Sequence, residues 1–455
     1  MQFRTYQWLI SVLAIVMMNP VPLIKRIQKL LNSCFVIFIT INCSFGLAKA
    51  QEKNIILENR TYQDDIKTVL FHKEGWELSD PIIELKFDTK LQFSFDELGN
   101  QPQTYHYTII HCNSRWESSE LADFEYIEGY PDAQIKDYYY SFNTTYDYVH
   151  YVLTFPNDEM SPKLSGNYIL RIYCDFDREQ KVIDRRFYVV EGGVEINAVV
   201  KRPGNVEHRD KGQEVDFKII HKGFPISDPY SDVQVVLMQN GRTDNVNTGL
   251  KPLFVGNDEL DYGYDYENIF FGGNEFRYFD IKSMRYQAEY VASIEFEKPY
   301  YHVILSPGED KAFKPYYFIN DLNGRYLVDV QEGRDKNIEA DYVFVHFSLP
   351  VEAPLAEEEV YVFGALTDWN TSESNKMTYQ FERHAYELTL LLKQGYYNYM
   401  YVILKKGDTA ADVGYFEGDH YETENDYGIF VYYSDFTLRY QKLIGFTRLN
   451  SLGGE

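Results

Sequence analysis

Residues 165–192 read SGNYILRIYCDFDREQKVIDRRFYVVEG, in which two runs of alternating side chains flank a polar segment. A turn at Ser165-Gly166-Asn167 leads into the first run, which begins with Tyr168. Alternation over four to eight residues, bounded by turn-forming residues, is typical of β-strands. This stretch therefore predicts two consecutive strands joined by a short connection.

The same pattern precedes this stretch from Pro81 onward. The earlier runs are IIELKF (82–87), LQFSF (91–95), YHYTIIHC (105–112) and YVHYVLTF (148–155). Short strands at this spacing, separated by turns, indicate a β-sandwich. SGNYILRIY also resembles the penultimate strand of an immunoglobulin-like domain. We therefore expect a first sandwich over 81–193, preceded by an extended segment over 51–80.

Two more sets of alternating runs follow. One predicts a sandwich over 194–335, from VEINAVV (194–200), EVDFKII (214–220), VQVVLMQN (233–240) and HVILSP (302–307). The other predicts a sandwich over 336–437, from DYVFVHF (341–347), YELTLLL (386–392), YYNYMYVIL (396–404) and GIFVYYSDFTL (428–438). Residues 438–455 form a C-terminal tail, either a contact strand or a frayed end. The predicted fold class is all-β, with three consecutive immunoglobulin-like β-sandwich domains.

The length of the chain indicates more than one core, and its composition favours strands. The 455 residues exceed what one ordinary core holds, and 41 Tyr and 31 Phe accompany only 8 Met. Aromatic rings pack well across paired strands. The first fifty residues hold five of the 44 basic and none of the 69 acidic residues, which leaves a net charge of −30 beyond them. Such acidity argues against binding of nucleic acid or anionic lipid, and we expect no direct lipid insertion.

The first fifty residues have the pattern of a secretory signal peptide. Basic residues precede an apolar run over 30–41, and Ala48-Lys49-Ala50 offers a small-x-small cleavage site. An earlier apolar run suggests that Met17 or Met18 is the true start. An uncleaved anchor is the alternative, although the run is shorter than the roughly 20 residues of a membrane span. We expect a soluble exported chain that begins near residue 51.

Two cysteines, Cys112 and Cys174, follow the signal peptide. Both lie in strand-like runs, and an oxidising compartment permits a disulfide between them. The sequence gives no distance between the two, so two separately buried thiols are an equally good alternative.

No motif for catalysis, cofactor binding or metal binding is found. The chain lacks H-E-x-x-H, G-x-x-x-x-G-K-[ST], G-x-S-x-G and C-x-x-C. His106, His111 and Cys112 lie close in sequence, but alternation puts His111 on the opposite face from the other two. We therefore assign no catalytic, cofactor-binding or metal-binding residue and expect a protein that is not an enzyme.

Residues 257–280 break the alternation with acidic residues, aromatic residues and paired glycines. Their acidic spacing is not that of an EF-hand calcium loop, and a solvated loop is the simplest interpretation. A hydrolase site within this loop is an alternative. Long loops often serve contacts, which makes this segment a candidate partner-contact loop. Its candidate contact residues are Phe270, Phe271, Glu275, Phe276 and Arg277, of which Glu275 and Arg277 would share one side and could pair.

The third predicted sandwich contains VYVFGALTDW (360–369) and KQGYYNYMYV (393–402). These motifs are similar to the glycogen-binding early-set immunoglobulin-like module, which holds sugar with a Trp, a Lys and a second Trp. Trp369 matches the first Trp, but Met400 stands at the Lys position and Ala410-Ala411 follow where the second Trp would be. The resemblance implies an early-set fold, with Trp369 as a fold-marker aromatic. A glycan-binding protein that uses this domain is the alternative function.

A second resemblance covers nearly all of the chain beyond residue 50. Its motifs are HCNSRW (111–116), residues 125–157, SGNYILRIY (165–173), GGNEFRYFD (272–280), VYVFGALTDWN (360–370), LKQGYYNYMYV (392–402) and YETENDYGIFVYY (421–433). In this order they resemble the type IX secretion system plug protein family of the Bacteroidota.

This resemblance implies a periplasmic subunit on the inner side of the outer membrane. The implied partner is a giant outer-membrane β-barrel translocon, whose periplasmic opening the plug binds and closes when no carrier or substrate occupies it. We expect the free chain to be monomeric. Such a task requires a shape and a reversible interface, and it implies no cofactor or active site.

Overall fold

The computed structural model describes residues 56–434 and 437–453. The predicted signal peptide, with its alternative start, lies outside the described residues. Within them nearly every regular element is a strand, and the predicted all-β fold class is confirmed. The helices are single turns: α1 (Asp123–Tyr126), α2 (Pro229–Asp232), α3 (Lys336–Glu339), α4 (Gly414–Glu417) and the 3-10 helix Ala365–Thr367.

Strands β1 to β12 build the first sandwich. They are β1 (Arg60–Thr61), β2 (Ile66–Lys73), β3 (Ile82–Glu84), β4 (Leu91–Leu98), β5 (Tyr105–Cys112), β6 (Ile127–Gly129), β7 (Ala133–Gln134), β8 (Asp137–Tyr140), β9 (Tyr148–Phe155), β10 (Met160–Pro162), β11 (Gly166–Cys174) and β12 (Lys181–Val190). One sheet has the order β2-β4-β9-β8 and the other β1-β12-β11-β5-β7, with β3 added to β12 and a small β10-β6 pair. Buried rings fill the core, among them Phe95, Tyr105 and Tyr151, whose centroids lie 4.9–5.2 Å apart.

The pairing of β5 with β11 shows whether Cys112 and Cys174 can form a disulfide. Cys112 pairs with Asn167 at one end of the ladder, and Cys174 pairs with Tyr105 at the other. The two ends are a strand length apart, about 23 Å at roughly 3.3 Å per residue. A disulfide needs Cα atoms roughly 4.4–6.8 Å apart. The predicted Cys112–Cys174 bridge is therefore wrong, and both thiols are free, with Cys112 buried and Cys174 half-buried.

The middle sandwich begins with β13 (Glu195–Lys201), β14 (Gly212–Ile220), β15 (Val233–Gln239), β16 (Phe254–Val255), β17 (Glu259–Asp261) and β18 (Ile269–Phe271). One sheet has the order β13-β14-β17-β16, with β18 also paired to β14. Residues 257–280, expected as a solvated loop, thus contribute paired strands, and Tyr262 and Asn268 within them are fully buried. Aromatic side chains of this segment pack in the core, whereas those of a solvated loop would face water.

Strands β19 to β27 form the third sandwich. They are β19 (Arg277–Asp280), β20 (Val291–Glu297), β21 (Tyr300–Leu305), β22 (Tyr326–Val328), β23 (Tyr342–Pro350), β24 (Glu358–Phe363), β25 (Thr378–Gln380), β26 (Ala385–Lys393) and β27 (Gly395–Lys405). The sheets are β20-β21-β23-β26-β25 and β19-β27-β22, with β24 on β27. Along β27, Tyr397 and Tyr399 face the core of this sandwich, while Met400 and Val402 belong to an apolar cluster on the other face.

The last two strands return to the middle sandwich. They are β28 (Asp426–Tyr433) and β29 (Lys442–Asn450), and with β15 they form the sheet β15-β28-β29. Ile429 and Ile444 from this sheet pack with Val215 and Phe217 from the facing sheet. The middle sandwich is therefore discontinuous in sequence, and the third sandwich is inserted between its two parts.

This arrangement differs from the expected division at 335/336, from the expected tail at 438–455 and from the expected extended segment at 51–80, which supplies β1 and β2 of the first sandwich. The third sandwich takes its first strand from residue 277, and the tail supplies β29. Alternation identifies a strand but does not identify its distant partner, which is why the boundaries shift. Residues from Ile56 onward cluster as one compact unit.

Candidate functional site

The five residues expected to form a partner-contact loop lie where the middle and third sandwiches meet. Phe271 is 56% exposed, whereas Phe270, Glu275, Phe276 and Arg277 are all buried. They run from the end of β18 to the start of β19, where Phe270 packs in the core of the middle sandwich and Phe276 packs against Trp369. Of the five, only Phe271 can contact a partner without a rearrangement of the chain.

Arg277 pairs with a carboxylate other than the one expected. Its Nε donates to Glu417 Oε1 at 2.8 Å, and its Nη2 donates to the Glu309 carbonyl at 2.6 Å. Glu417 closes α4 and also accepts the Tyr401 N–H at 3.0 Å. The expected Glu275–Arg277 pair is wrong, because Glu275 precedes β19 and lies outside its regular alternation.

Trp369 is a core residue. It is 8% exposed, and its ring packs edge-on against Phe276 and Phe363 with centroids 6.0 and 5.4 Å away. Gly324 approaches the indole in a left-handed conformation, φ +78°, where an added Cβ would lie 2.3 Å from Trp369 Cη2. Glycine alone fits that turn without strain.

The middle sandwich covers the face of the third sandwich that carries Phe363, Trp369 and Met400. Arg242 Nη2 donates to the Ala411 carbonyl at 3.0 Å, and Asp244 accepts the Ala411 N–H at 2.9 Å. The Arg242 guanidinium also lies 5.2 Å from the Phe363 ring centroid. A cavity of about 530 Å³ remains beside these contacts. With Trp369 buried and this face covered, glycan binding loses its main sequence support.

His106, His111 and Cys112 do not converge on one point. His106 pairs across the ladder with Tyr173, and Cys112 pairs with Asn167 at the far end of β5. Burial raises the pKa of the Cys112 thiol to about 12 and lowers the pKa of His111 to about 4. At neutral pH the thiol is therefore protonated and the imidazole uncharged, which is the reverse of an activated nucleophile pair.

The described part of the chain contains neither a preformed metal site nor a membrane-spanning helix. Over 56–434 and 437–453, no group of three or more His, Cys, Asp or Glu side chains is arranged to hold a metal ion. No helix in these ranges is long and apolar enough to cross a membrane.

A buried charged cluster joins the first and third sandwiches. Lys393 Nζ donates to Asp96 Oδ2 at 2.6 Å, and both side chains are buried. Asp96 also accepts from the Tyr342 hydroxyl at 2.7 Å, and it lies 2.6 Å from His150 Nδ1. The ammonium lies 4.1 Å from the Tyr148 ring centroid, in cation–π geometry. Because Lys393 and Tyr342 come from one sandwich and the other residues from the other, the cluster fixes their relative position.

The charges in this cluster depend on one another. Burial raises the pKa of Asp96, but attraction to Lys393 and the His150 hydrogen bond outweigh it and hold that pKa below its usual value. Asp96 is therefore ionised at neutral pH, whereas burial lowers the pKa of Lys393 against the attraction of Asp96. Removing one partner of a buried pair typically costs about 3–5 kcal/mol, because the remaining charge is left buried alone.

A second ionic cluster ties all three sandwiches together. Arg325 lies 3.1 Å from Asp80 and 3.4 Å from Asp426, and Arg448 contacts the same two carboxylates. Asn323 Nδ2 also donates to Asp426 Oδ2 at 3.0 Å. Asp80 belongs to the first sandwich, Asp426 and Arg448 to the middle one, and Arg325 and Asn323 to the third. Burial opposes ionisation of Asp426, but the arginines hold its pKa below the usual range.

The first and middle sandwiches meet across an apolar layer. Tyr188 of β12 stacks on Phe430 of β28, with ring centroids 4.5 Å apart. The buried members of the layer are Ile82, Cys112, Trp116, Ile169, Tyr188, Val190, Val236, Met238, Phe430, Tyr432 and Leu443. Such burial of large apolar side chains is typical of permanent interfaces.

Two carboxyls, the buried Glu275 and the half-buried Asp321, lie near the junction of the middle and third sandwiches. Burial raises the pKa of Asp321 to about 7, although the backbone N–H groups of Asn323 and Phe276 stabilise its charged form. Burial likewise raises the pKa of Glu275, whose Oε2 has no hydrogen-bond partner among the described atoms. Asp321 therefore titrates near neutral pH.

Exposed aromatic rings are frequent on the surface. Those at least half exposed are Trp76, Phe87, Phe124, Tyr130, Tyr139, Tyr140, Phe142, Phe176, Tyr230, Phe254, Tyr266, Phe271, Tyr286, Phe313, Tyr317 and Phe381. Three of them follow one another closely on β8 and just after it. Aromatic rings are enriched in protein interfaces, which makes these positions candidate contacts.

Sequence reasoning singled out Phe276 and Trp369, which lie at the junction of the middle and third sandwiches, but it did not identify Asp96, Lys393, Asp80 or Arg325. Lys393 carried one weak signal, because it places a charge at the end of the apolar run YELTLLL. Asp96 and Asp80 carried none, since each resembles the many other charged residues of the chain, whereas Arg448 stood out only as a basic residue in the C-terminal tail of an acidic chain. The aromatic run at 138–142 was visible, but its exposure was not.

Comparison with known proteins gives two findings. Residues 66–191 match the family described as "Type 9 secretion system plug protein 1st domain", which spans the first sandwich from β2 to just beyond β12. The whole fold is similar to a hypothetical protein from Parabacteroides merdae ATCC 43184, solved by crystallography at 2.30 Å resolution. The two are 35% identical with a TM-score of 0.85, and the similarity covers 87% of this chain and 100% of that one. No curated protein matches this chain.

Proposed function

Because the chain belongs to the type 9 secretion system plug protein family, we propose that it closes the periplasmic opening of the outer-membrane β-barrel translocon of that system. Closure lasts while no carrier or substrate occupies the channel. The chain acts in the periplasm, against the inner side of the outer membrane, and its task involves no catalysis.

The locking of the three sandwiches is the observation that carries this proposal. A channel wide enough for folded proteins leaks small solutes when it is empty, and only a body that keeps its shape can seal it. Here the Asp96–Lys393 pair, the Arg325 and Arg448 cluster, and the apolar layer around Tyr188 each join a different set of sandwiches. These contacts make the described chain a single stiff body.

The surface suits a contact that must be broken. A plug has to leave when a carrier arrives, so its interface should be more polar than a permanent one. Exposed aromatic rings on a strongly acidic chain offer contact area, while the net charge opposes nonspecific association. The family is a secretion-system component and not an enzyme family, and we extend that description to this chain.

Outer-membrane permeability in the source bacterium tests the proposal. Deleting the gene should increase uptake of a bulky antibiotic such as vancomycin, and a plasmid copy should restore the barrier. A strain that also lacks the translocon is the control and should show no increase. Unchanged uptake in the single deletion would contradict the proposed function.

Copurification supplies the second readout. An affinity-tagged chain should recover a giant barrel protein from solubilised outer membranes. Recovery should fall when the channel is occupied by a carrier, because both compete for one opening. Absence of the barrel from such preparations would also contradict the proposal.

A further inference from the structure

The strand β8, Asp137–Tyr140, forms one edge of the sheet β2-β4-β9-β8. All four of its residues are exposed, and Tyr138, Tyr139 and Tyr140 are 43%, 54% and 52% exposed. Edge strands usually carry charges, prolines or bulges that prevent a further strand from pairing. The edge strand β20 of the third sandwich has such protection in Glu295 and Glu297, whereas β8 has one charge, at its first residue.

The hydrogen-bond pattern shows which backbone groups of β8 are unused. The Ser141 N–H donates to the Tyr148 carbonyl, so residues 141, 139 and 137 face β9 in the antiparallel ladder. The N–H and C=O groups of Tyr138 and Tyr140 therefore point away from the sheet. No backbone partner for them occurs among residues 56–434 and 437–453.

Phe142, the next residue whose backbone groups point away from β9, already has a hydrogen-bond partner. The Phe142 N–H, on the same alternation as Tyr138 and Tyr140, donates to the Ile338 carbonyl at 2.8 Å. Ile338 lies in α3 of the third sandwich, so that neighbour already covers the end of the edge. It leaves Tyr138 and Tyr140 free.

Side chains and charges around the edge specify the occupant. Tyr138 and Tyr140 lie together on one face, with ring centroids 6.0 Å apart, and Tyr139 lies on the other face. Asp137 at one end and Asp147 near the other are exposed, and neither has a basic partner among the described residues. An added strand with basic residues would meet carboxylates at both ends and could place its cations over tyrosine rings.

We propose that β8 is a docking edge, to which an extended segment of the partner adds as a β-strand carrying alternating basic and apolar residues. This inference rests on the proposed function, because it names the surface through which the plug would hold the translocon. Backbone hydrogen bonds to Tyr138 and Tyr140 set the register, and the tyrosine rings receive the alternate side chains.

Proline at position 138 tests the edge with little effect on the rest of the fold. It removes an outward N–H that β9 does not use, and edge strands tolerate proline at such positions. Tyr138→Phe is the matched control, since it keeps both the ring and the N–H. We expect Tyr138→Pro to weaken binding of the purified, detergent-solubilised translocon at least about tenfold, and Tyr138→Phe to bind like the wild type. Equal binding of all three would overturn the inference.

Amide hydrogen exchange on the wild-type chain tests the edge without any variant. The probe is an octapeptide of alternating Lys and Val, and the control is the same peptide with Glu in place of Lys. The Lys peptide should slow exchange at Tyr138 and Tyr140, and the Glu peptide should not. Unchanged exchange with both peptides would contradict the proposed occupant, even if Tyr138→Pro failed to fold.

The outcomes separate this inference from the proposed function. A translocon that binds wild type and Tyr138→Pro equally leaves the function standing and removes the docking edge. A translocon that binds no form of the chain contradicts the function, and the peptide exchange then decides the edge on its own. Concentration-dependent dimers that Tyr138→Pro abolishes would overturn the inference in favour of a second copy of this chain.

Discussion

Lys393 ends β26 with its side chain buried and its ammonium on Asp96 of another sandwich. A lysine in such a place has lost its hydration, which only its partners replace. Methionine has a similar shape but no charge, so it would fill the space and leave buried Asp96 with His150 and the Tyr342 hydroxyl but without the Lys393 ammonium. The loss of stability would arise at the junction of the first and third sandwiches and not in the hydrophobic core of either one.

We expect Lys393→Met to lower the free energy of unfolding by about 3–5 kcal/mol, as measured by chemical denaturation. Lys405→Met is the matched control. Lys405 ends the next strand, β27, and its ammonium lies 3.2 Å from Asp412, but its side chain is 52% exposed. Exposed pairs contribute about 0–1 kcal/mol, so the control should change little. Equal losses in the two variants would contradict the role given to the buried pair.

Asp321 gives the chain a pH response opposite in sign to that of Asp96. Its pKa is about 7 in the folded chain, against about 3.9 for an ordinary Asp, because burial disfavours the charge. The folded chain therefore holds this proton more tightly than the unfolded chain does. Its contribution to stability is present below about pH 4 and is lost as the pH rises through about 7.

Replacement of Asp321 by Asn removes this titration. The free energy of unfolding of the wild type, minus that of Asp321→Asn, should fall by about 1–3 kcal/mol between about pH 4 and pH 8. Denaturant unfolding across that range measures the difference. A difference that does not vary with pH would show that Asp321 ionises normally in the folded chain.

Strands were predicted well where their signal is local. YHYTIIHC and YVHYVLTF coincide with β5 and β9, and the run at 166–173 falls within β11. Two-residue alternation is a property of one strand and the sheet face it presents, so it is readable without knowledge of the partner. The fold class follows from many such runs.

Strand partners were not predictable from the same signal. Val233 of β15 pairs with Tyr433 of β28, and the intervening residues include the entire third sandwich. The buried pairs of Arg277 with Glu417 and Lys393 with Asp96 also join residues distant in sequence. No periodicity within a run of ten residues carries this information, which explains the shifted boundaries and the missed junction residues.

The C-terminal strand β29 offers a direct test of the observed architecture. Its Leu443 and Ile444 are fully buried, and β29 covers one edge of β28. A chain that ends at residue 441 should accumulate in insoluble form, because an apolar core and a strand edge are uncovered. A chain that ends at residue 451 keeps β29 and is the control. Soluble yield and thermal unfolding measure both, and a soluble, native-like chain of 441 residues would show that β29 is dispensable.

The three sandwiches should behave as one cooperative body. Their contacts include a buried ion pair, a cluster of arginines and carboxylates, and an apolar layer, so no single junction is left weak. Domains joined by small polar contacts unfold separately, whereas domains sharing buried contacts unfold together.

Two tryptophans report on different junctions and make this testable. Trp116 lies in the layer between the first and middle sandwiches, and Trp369 lies between the middle and third. Variants in which Trp116 or Trp369 is the single tryptophan left in the chain, with Trp76 also replaced, should show the same denaturation midpoint by fluorescence. Adding Arg325→Met should move the Trp369 transition to lower denaturant than that of Trp116. Separate midpoints without that change would contradict a single body.

The proposed function rests on the order of motifs along the chain and on no arrangement of reactive groups. A protein that blocks a channel acts through its shape, and the contacts that maintain this shape join residues far apart in the sequence. The exposed edge at Tyr138 and Tyr140 illustrates the limit, since DYYY is plain in the sequence while its free hydrogen-bonding groups depend on where β9 and α3 lie.

Insertion of one sandwich into another also sets an order of assembly. During synthesis, the sheet around β14 emerges with Val215, Phe217 and Ile219 uncovered, and its covering strands β28 and β29 come from the far end of the chain. At roughly 5–20 residues per second, about 10–40 s pass before those strands are made. A nascent chain therefore exposes an apolar face to which chaperones can bind throughout this interval. Only a polypeptide translated through its last strand can complete the middle sandwich, so unfinished copies would be left for proteolysis.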